Sequence, residues 1–215
     1  MDPGERAFHA LFGALQQAEL DQVGDILVHA LEVATGQPGD PAHGQGALAL
    51  HHPHELPSLR RQAAGWQIEA NAQSAGAIDV ARAEGGGTQL RWRYALGGGR
   101  TDGPYVALVV AAGPAVASAD RVIFSARADK PMRLTMQVRV PKGPAGERWQ
   151  RSFYIDEMPR EITLFFDEMR PVGETTTKQP TLSEVQALLW VVAAPNTPLG
   201  ASGQLWLDNV RYGRP

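Results

Sequence analysis

Arginine and glutamine side chains at every second position of two segments are the first candidates for chemistry. In Thr88–Leu96, Gln89, Arg91 and Arg93 alternate with apolar residues, and Met132–Val140 alternates in the same way. The second segment places these polar side chains on one side: Arg133, Thr135, Gln137 and Arg139. Guanidinium groups pair with carboxylates and amides bond hydroxyls, so one sheet containing both segments would form a surface for a carboxylated or sulfated glycan. The alternative is a plain solvated outer face.

Aromatic side chains would complete such a surface, because a sugar ring packs on an exposed aromatic face. We expect Trp92 and Trp190 in the core, whereas Trp66 and Trp149 are candidates for an exposed platform and Trp206 for an outward position. Gln150, Ser152 and Tyr154 would extend the polar side on the next strand. The predicted ligand-binding residues are Arg91, Arg93, Gln137, Arg139, Trp149 and Tyr154.

Catalytic and metal-binding patterns are weak. Asp156-Glu157 and Asp167-Glu168 are adjacent pairs, and neighbouring residues of a strand point to opposite faces, so neither pair forms a catalytic dyad. The sequence has no cysteine, nucleophile elbow, phosphate loop or dinucleotide fingerprint, and the histidines of residues 51–54 lack a metal-ligand spacing. These observations predict a protein without enzymatic activity, with a glycoside hydrolase or lyase as the alternative.

Nine segments are predicted as strands because they alternate or are apolar and are bounded by glycine and proline turns. They are Ala77–Ala83, Thr88–Leu96, Tyr105–Ala112, Arg121–Ala128, Met132–Val140, Arg148–Ile155, Glu161–Phe166, Ala187–Ala193 and Gln204–Tyr212. No helical stretch long enough for a parallel crossover separates them, which favours an all-β antiparallel β-sandwich. A jelly roll is the commonest way of closing such a sandwich.

The amino-terminal region differs in composition. Residues 1–57 carry eight acidic side chains and one basic side chain, within a chain of 215 residues whose net charge is −3. Two amphipathic segments there, one with Phe8, Leu11, Phe12 and Leu15 on one face, predict a short helical extension before a sandwich domain over 58–215. We expect no membrane span and no signal peptide in this chain, and the mild acidity disfavours nucleic acid as a partner.

The sequence resembles the galactose-binding-like jelly-roll superfamily, in particular its carbohydrate-binding modules, over about residues 60–213. The resemblance is carried by Ala187–Val192 with Pro195-Asn196-Thr197, by the ending Gly203–Tyr212 with Asp208-Asn209-Val210, by Asp120–Arg127, by Trp149 before Phe153 and Ile155, and by Gly65-Trp66 with Leu90–Tyr94.

This resemblance implies non-catalytic binding of a glycan at a concave sheet face or at loop tips. The arginines of the alternating segments favour an acidic polysaccharide as the ligand. The resemblance further implies a structural calcium ion with Asp208 as a ligand, a bacterial source and an extracellular or periplasmic location. Complex I intermediate-associated assembly factors share this kind of domain, so a structural or assembly module that binds protein is the alternative. A sensor domain of a larger bacterial protein also stays open.

Overall fold

The chain folds as an antiparallel β-sandwich of two sheets. The computed structural model describes residues 65–83, 86–98, 103–143 and 146–214. The strands are β1 (Trp66–Ala70), β2 (Ala75–Arg82), β3 (Thr88–Ala95), β4 (Tyr105–Ala111), β5 (Arg121–Ala128), β6 (Met132–Val140), β7 (Glu147–Ile155), β8 (Arg160–Phe165), β9 (Arg170–Pro171), β10 (Ala187–Ala193) and β11 (Ser202–Gly213). Within these ranges the only helical elements are 3₁₀ turns at Pro114–Ser118, Phe166–Glu168 and Leu182–Glu184. The predicted all-β sandwich is confirmed.

The two sheets divide the strands unequally. The six-stranded sheet has the order β1-β4-β10-β6-β7-β9, and the five-stranded sheet has the order β2-β3-β11-β5-β8. Every pairing is antiparallel. Strands β4 and β10 are neighbouring interior strands of the six-stranded sheet, and their nearly continuous apolar sequences fit burial on both faces.

All nine predicted strands are present, with ends that differ from the prediction by at most two residues. Two strands escaped prediction. Strand β1 has five residues with Ile68 as its only aliphatic branched side chain, and β9 has two residues that pair with the edge of β7. Neither is long enough for an alternating pattern to emerge.

The core between the sheets is built around aromatic rings. The ring centroid of Trp190 lies 5.4 Å from that of Trp66 and 5.4 Å from that of Phe124. The ring centroids of Phe124 and Phe153 are also 5.4 Å apart. The expected core positions of Trp92 and Trp190 are confirmed, since both are almost fully buried. Trp66 is buried as well, so its interpretation as an exposed platform is wrong.

The amino-terminal prediction lies outside the described residues, because the helical extension over 1–57 precedes the first of them. In the portion of the chain that the structure covers, no helix is long and apolar enough to cross a membrane.

Candidate functional site

The predicted ligand-binding residues divide between two opposite surfaces. Gln137, Arg139 and Tyr154 lie on β6 and β7 of the six-stranded sheet. Arg91 and Arg93 lie on β3, which belongs to the five-stranded sheet. The expectation that these residues form one patch is therefore wrong, because alternation identifies the outward side of a strand but not the sheet it joins.

The outer face of the six-stranded sheet carries paired polar side chains along β6 and β7, which we call the polar ladder. Its cross-strand pairs are Arg133–Tyr154, Thr135–Ser152, Gln137–Gln150 and Arg139–Arg148. The hydroxyls of Thr135 and Ser152 lie 2.9 Å apart, and Asn196 donates its amide to Thr135 Oγ1 at 3.1 Å. These groups offer both donors and acceptors.

Gln137 lies in the middle of the polar ladder. Its Nε2 donates to Gln150 Oε1 at 3.3 Å. Its own Oε1 is buried and has no hydrogen-bond partner. A buried amide oxygen without a partner has a free-energy cost, so this acceptor is suited to a donor supplied from outside.

Beside the polar ladder lies a strip of small apolar side chains on β4 and β10, which we call the apolar floor. Its residues face away from the core and are nevertheless buried: Ala107, Val109, Ala187, Leu189 and Val191. Tyr105 and Ala193 pack against this strip. Because these apolar side chains are short, they project less far from the sheet than the longer polar side chains on the neighbouring strands.

Glu69 and Arg139 form an ion pair across this floor. Glu69 lies on β1 and Arg139 on β6, and β4 and β10 separate these strands, which therefore run about 14 Å apart at ordinary strand spacing. The two residues are also displaced along the strands, because the register places Glu69 level with Thr135 of β6. Arg139 Nη1 nevertheless donates to Glu69 Oε2 at 2.7 Å, and the Tyr105 hydroxyl donates to Glu69 Oε1 at 3.1 Å. The two side chains therefore extend toward each other over the apolar floor, and we call this contact the cross-face ion pair.

The charges of the cross-face ion pair are fixed by its surroundings. Burial alone would raise the pKa of Glu69, but the hydrogen bond and charge of Arg139 and the Tyr105 hydroxyl hold it below its usual value. Burial and the neighbouring Glu69 carboxylate raise the pKa of Tyr105. At neutral pH, Glu69 is therefore ionised and Tyr105 is a neutral donor.

Trp149 is a core residue, contrary to the prediction of an exposed platform. It is 1 % exposed, and its indole N–H donates to the Thr177 carbonyl at 3.2 Å. Trp149 and Tyr154 are an odd number of positions apart on β7, so their side chains point to opposite faces. Tyr154 is the outward one and is 61 % exposed.

The sequence analysis missed three groups of this face. Tyr105 is the first residue of β4, Glu69 lies on the short strand β1, and Asn196 follows β10 in a turn. The available signal was alternation in β4, where Tyr105 and Ala107 share a side; no local pattern identified Glu69 or Asn196.

The outer face of the five-stranded sheet has a different character. Arg91 binds Asp79 through two hydrogen bonds of 2.8 and 2.7 Å, and Arg93 reaches the same carboxylate at 3.3 Å. The outward position of Trp206 is confirmed by its partial exposure, and the Arg127 guanidinium lies 3.7 Å from its ring centroid. We call these five residues, Asp79, Arg91, Arg93, Arg127 and Trp206, the Arg–Trp patch.

Asp208 lies at a β-bulge of β11. The register shifts between Asp208 and Arg211, and Asn209 has a φ of 52°. The carboxylate of Asp208 accepts the Asn209 N–H at 2.8 Å. Among the described residues, no group of three or more His, Asp or Glu side chains could hold a metal ion. Calcium binding at Asp208, which the resemblance implies, stays a prediction.

One member of each acidic pair considered for hydrolysis forms an ion pair with an arginine. Asp156 binds Arg160 at 2.5 Å, and Glu168 binds Arg151 at 3.2 Å. Among the described strand residues that point outward from the six-stranded sheet, Glu69 is the only carboxylate. Glycoside hydrolysis ordinarily requires two carboxylates flanking the bond.

Comparison with known proteins identifies the fold class. No family model matches the chain, and no curated protein does. Among solved structures, the family 11 carbohydrate-binding module of the cellulosomal cellulase Lic26A-Cel5E of Clostridium thermocellum is 13 % identical with a TM-score of 0.59, covering 78 % of this chain and 98 % of that one. The chain thus shares the β-sandwich fold of that module.

Two further structures extend the comparison. A family 11 module from Clostridium thermocellum in complex with a β-1,3-1,4-mixed-linked tetrasaccharide is 14 % identical with a TM-score of 0.57, covering 73 % of this chain and 92 % of that one. An exo-β-agarase is 11 % identical with a TM-score of 0.51, and the match covers 76 % of this chain but 26 % of the agarase. The suspected resemblance to carbohydrate-binding modules is confirmed at the level of fold.

Proposed function

We propose that this chain is a non-catalytic carbohydrate-binding module whose binding surface is the outer face of the six-stranded sheet. The observation that carries the proposal is the polar ladder lying beside the apolar floor. A saccharide chain has apolar ring faces and hydroxyl edges, and this surface offers a place for each.

The roles of the individual residues follow from their positions. Gln137, Gln150 and Thr135 supply acceptors and donors for hydroxyls, and the buried Gln137 Oε1 receives one sugar O–H. Tyr154, at the exposed end of the polar ladder, packs against a sugar ring. The cross-face ion pair limits the depth to which a ligand reaches the apolar floor.

The proposed lack of catalysis is supported by the carboxylates. Glu69 is held by an arginine and a tyrosine, and no described outward-facing strand residue supplies a second carboxylate on its face. Two such groups about 5 to 10 Å apart are the usual requirement for glycoside hydrolysis.

Preference for an acidic polysaccharide remains part of the proposal. On the six-stranded sheet, Glu69 neutralises Arg139 and leaves Arg133 and Arg148 as the cationic groups of the polar ladder. An extracellular or periplasmic location is proposed on the resemblance to carbohydrate-binding modules. A structural calcium ion with Asp208 as one ligand also stays part of the proposal, on the resemblance to carbohydrate-binding modules.

The binding experiment uses isothermal titration of the full chain with a β-1,3-1,4-mixed-linked glucan tetrasaccharide and with hexagalacturonate. Tyr154→Ala should weaken binding by about threefold to tenfold, because an aromatic contact with a sugar is lost. Leu199→Ala is the matched control, since Leu199 is also exposed, at 45 %, but lies in the loop before β11. No binding of either saccharide by the folded chain would contradict the proposal.

Protein docking, the alternative function, would require a continuous exposed apolar patch. The large exposed apolar side chains of the described residues are instead distributed over separate elements: Val80, Tyr154, Met158, Val172 and Leu199. This distribution favours a saccharide.

A further inference from the structure

The outer face of the five-stranded sheet contains a row of charged and aromatic residues across four neighbouring strands. Asp79 on β2 pairs with Arg91 on β3, Arg91 pairs with Trp206 on β11, and Trp206 pairs with Arg127 on β5. Since directly opposed residues share a face, all four side chains project from the same surface.

Trp206 orients the guanidinium of Arg127. The guanidinium lies 3.7 Å from the ring centroid, a cation–π contact. Stacking uses the face of the guanidinium and leaves its N–H groups, which lie in the guanidinium plane, available at the edge. In the described part of the chain, Arg127 makes no ion pair with a carboxylate.

Asp79 holds Arg91 on the other side of Trp206. The carboxylate occupies Nε and one terminal nitrogen of Arg91, at 2.8 and 2.7 Å, and leaves the second terminal nitrogen free of it. The hydrogen bond to Asp79 raises the pKa of the Arg91 guanidinium and outweighs the opposing effect of burial, so Arg91 stays charged. Arg93 touches the same carboxylate at 3.3 Å, and its Nε is buried without a partner.

The Arg–Trp patch therefore has an excess of positive charge. The patch contains three guanidinium groups and one carboxylate, and that carboxylate binds Arg91 and Arg93 but not Arg127. The next acidic groups on this face are engaged: Asp208 by the Asn209 N–H, and Glu161 by Arg211 at 2.8 Å. Neither of these hydrogen bonds involves the three arginines of the patch.

We propose that the Arg–Trp patch is a second binding surface, which takes the carboxylate groups of an acidic glycan through Arg127 and Arg91. Arg91 on β3 and Arg127 on β5 lie on either side of Trp206 on β11, so their backbones are about 10 Å apart, or two strand spacings. Two carboxylates of one glycan chain can therefore be bound together. This inference rests on the proposed function and adds a surface that is separate from the polar ladder.

The experiment is isothermal titration of the full chain, at low salt, with hexagalacturonate and with its methyl ester. The acid should bind the Arg–Trp patch, whereas the methyl ester should not, because esterification removes the negative charge that a guanidinium group recognises. In Arg91→Gln/Arg127→Gln, affinity for the acid should fall about tenfold, as charge-assisted hydrogen bonds are lost. Lys142→Gln/Lys178→Gln removes the same charge elsewhere and should bind as the unmodified chain does.

A further variant separates orientation from charge. Trp206→Leu keeps every charge of the patch but removes the ring under Arg127, so affinity should fall roughly twofold to fivefold. If the double arginine variant melts early, Arg127→Gln alone replaces it, because no described carboxylate loses its partner.

Unchanged affinity of the arginine variants for the acid, or equal binding of acid and ester, would overturn this second surface. The mixed-linked glucan tetrasaccharide reports separately on the polar ladder. Suppose that Tyr154→Ala weakens binding of the tetrasaccharide while the arginine variants bind the acid with unchanged affinity. The proposed function would then stand, and the Arg–Trp patch would be rejected as a binding surface.

Discussion

Glu69 and Arg139 are joined by an ion pair of 2.7 Å although they belong to strands that are not neighbours in the six-stranded sheet. The contact requires both side chains to extend over β4 and β10, whose outward residues are small and apolar. Neither residue could make it if bulky side chains stood between them. The cross-face ion pair therefore depends on the apolar floor.

A double-mutant cycle measures this ion pair. Glu69→Gln, Arg139→Gln and the double variant should give a coupling energy of about 0.5 to 1 kcal/mol in urea unfolding, the upper part of the range for partly exposed pairs. The more exposed Lys142–Glu184 pair serves as the comparison and should show weaker coupling. Additive effects at Glu69 and Arg139 would show that the pair contributes nothing to stability.

The ion pair also predicts a pH dependence. Since the folded chain holds the pKa of Glu69 below its usual value of 4.5, ionised Glu69 stabilises the fold above that pH. This stabilisation should be lost as the pH falls from 4.5 through the lower pKa of the folded state. Melting curves of the unmodified chain and Glu69→Gln should therefore differ at pH 6 by an amount that shrinks in acid; a constant difference would contradict the assignment.

Trp149 and Trp206 should respond differently to truncation. Trp149→Ala removes a side chain that is 1 % exposed, and should cost about 3 to 5 kcal/mol of unfolding free energy. Trp206→Ala, at a partly exposed position on the outer face, should cost clearly less in the same urea titration. Equal losses would argue against the inward orientation of Trp149.

Gly76 marks a close approach between β2 and the strands of the other sheet. A Cβ there would lie 2.6 Å from Val106 Cγ1 and 3.0 Å from Ile68 Cγ2. Gly76→Ala should therefore lower the unfolding free energy by about 1 to 3 kcal/mol through overpacking. Gly98→Ala is the control, because its nearest neighbour would be 4.0 Å away, and it should be nearly neutral.

Asp208 offers a test of the implied calcium. Because its carboxylate accepts the Asn209 N–H at the bulge, Asp208→Ala should cost about 0.5 to 1.5 kcal/mol, and Asp208→Asn should retain most of the stability. If the implied calcium is bound, chelator should lower the melting temperature of the unmodified chain and not that of Asp208→Ala. A melting temperature that chelator leaves unchanged would argue against a metal at this position.

Alternation along the chain was sufficient to predict β3, β5, β6 and β10, because each strand has a consistent apolar side or is apolar throughout. It could not predict that β3 and β6 lie in different sheets, since strand partners are chosen by packing over long sequence distances. It also could not find Glu69, whose importance comes from a residue 70 positions away.

The inward orientation of Trp149 could have been predicted from the pattern of β7. Its position relative to Gln150 and Tyr154 on β7 already places it on the apolar side of the strand. Residue type suggested a platform, but strand geometry decides the side of the sheet. The Arg–Trp patch, in contrast, required both pairings of β11 to be known.

Strand β9 has a consequence for aggregation. Its two residues, Arg170 and Pro171, pair with Gln150 and Trp149 along the outer edge of β7. Proline lacks the N–H that an incoming strand would need, and a charged neighbour opposes apolar association. This short edge therefore hinders a second copy of the chain from extending the sheet, which disfavours edge-to-edge association at high protein concentration.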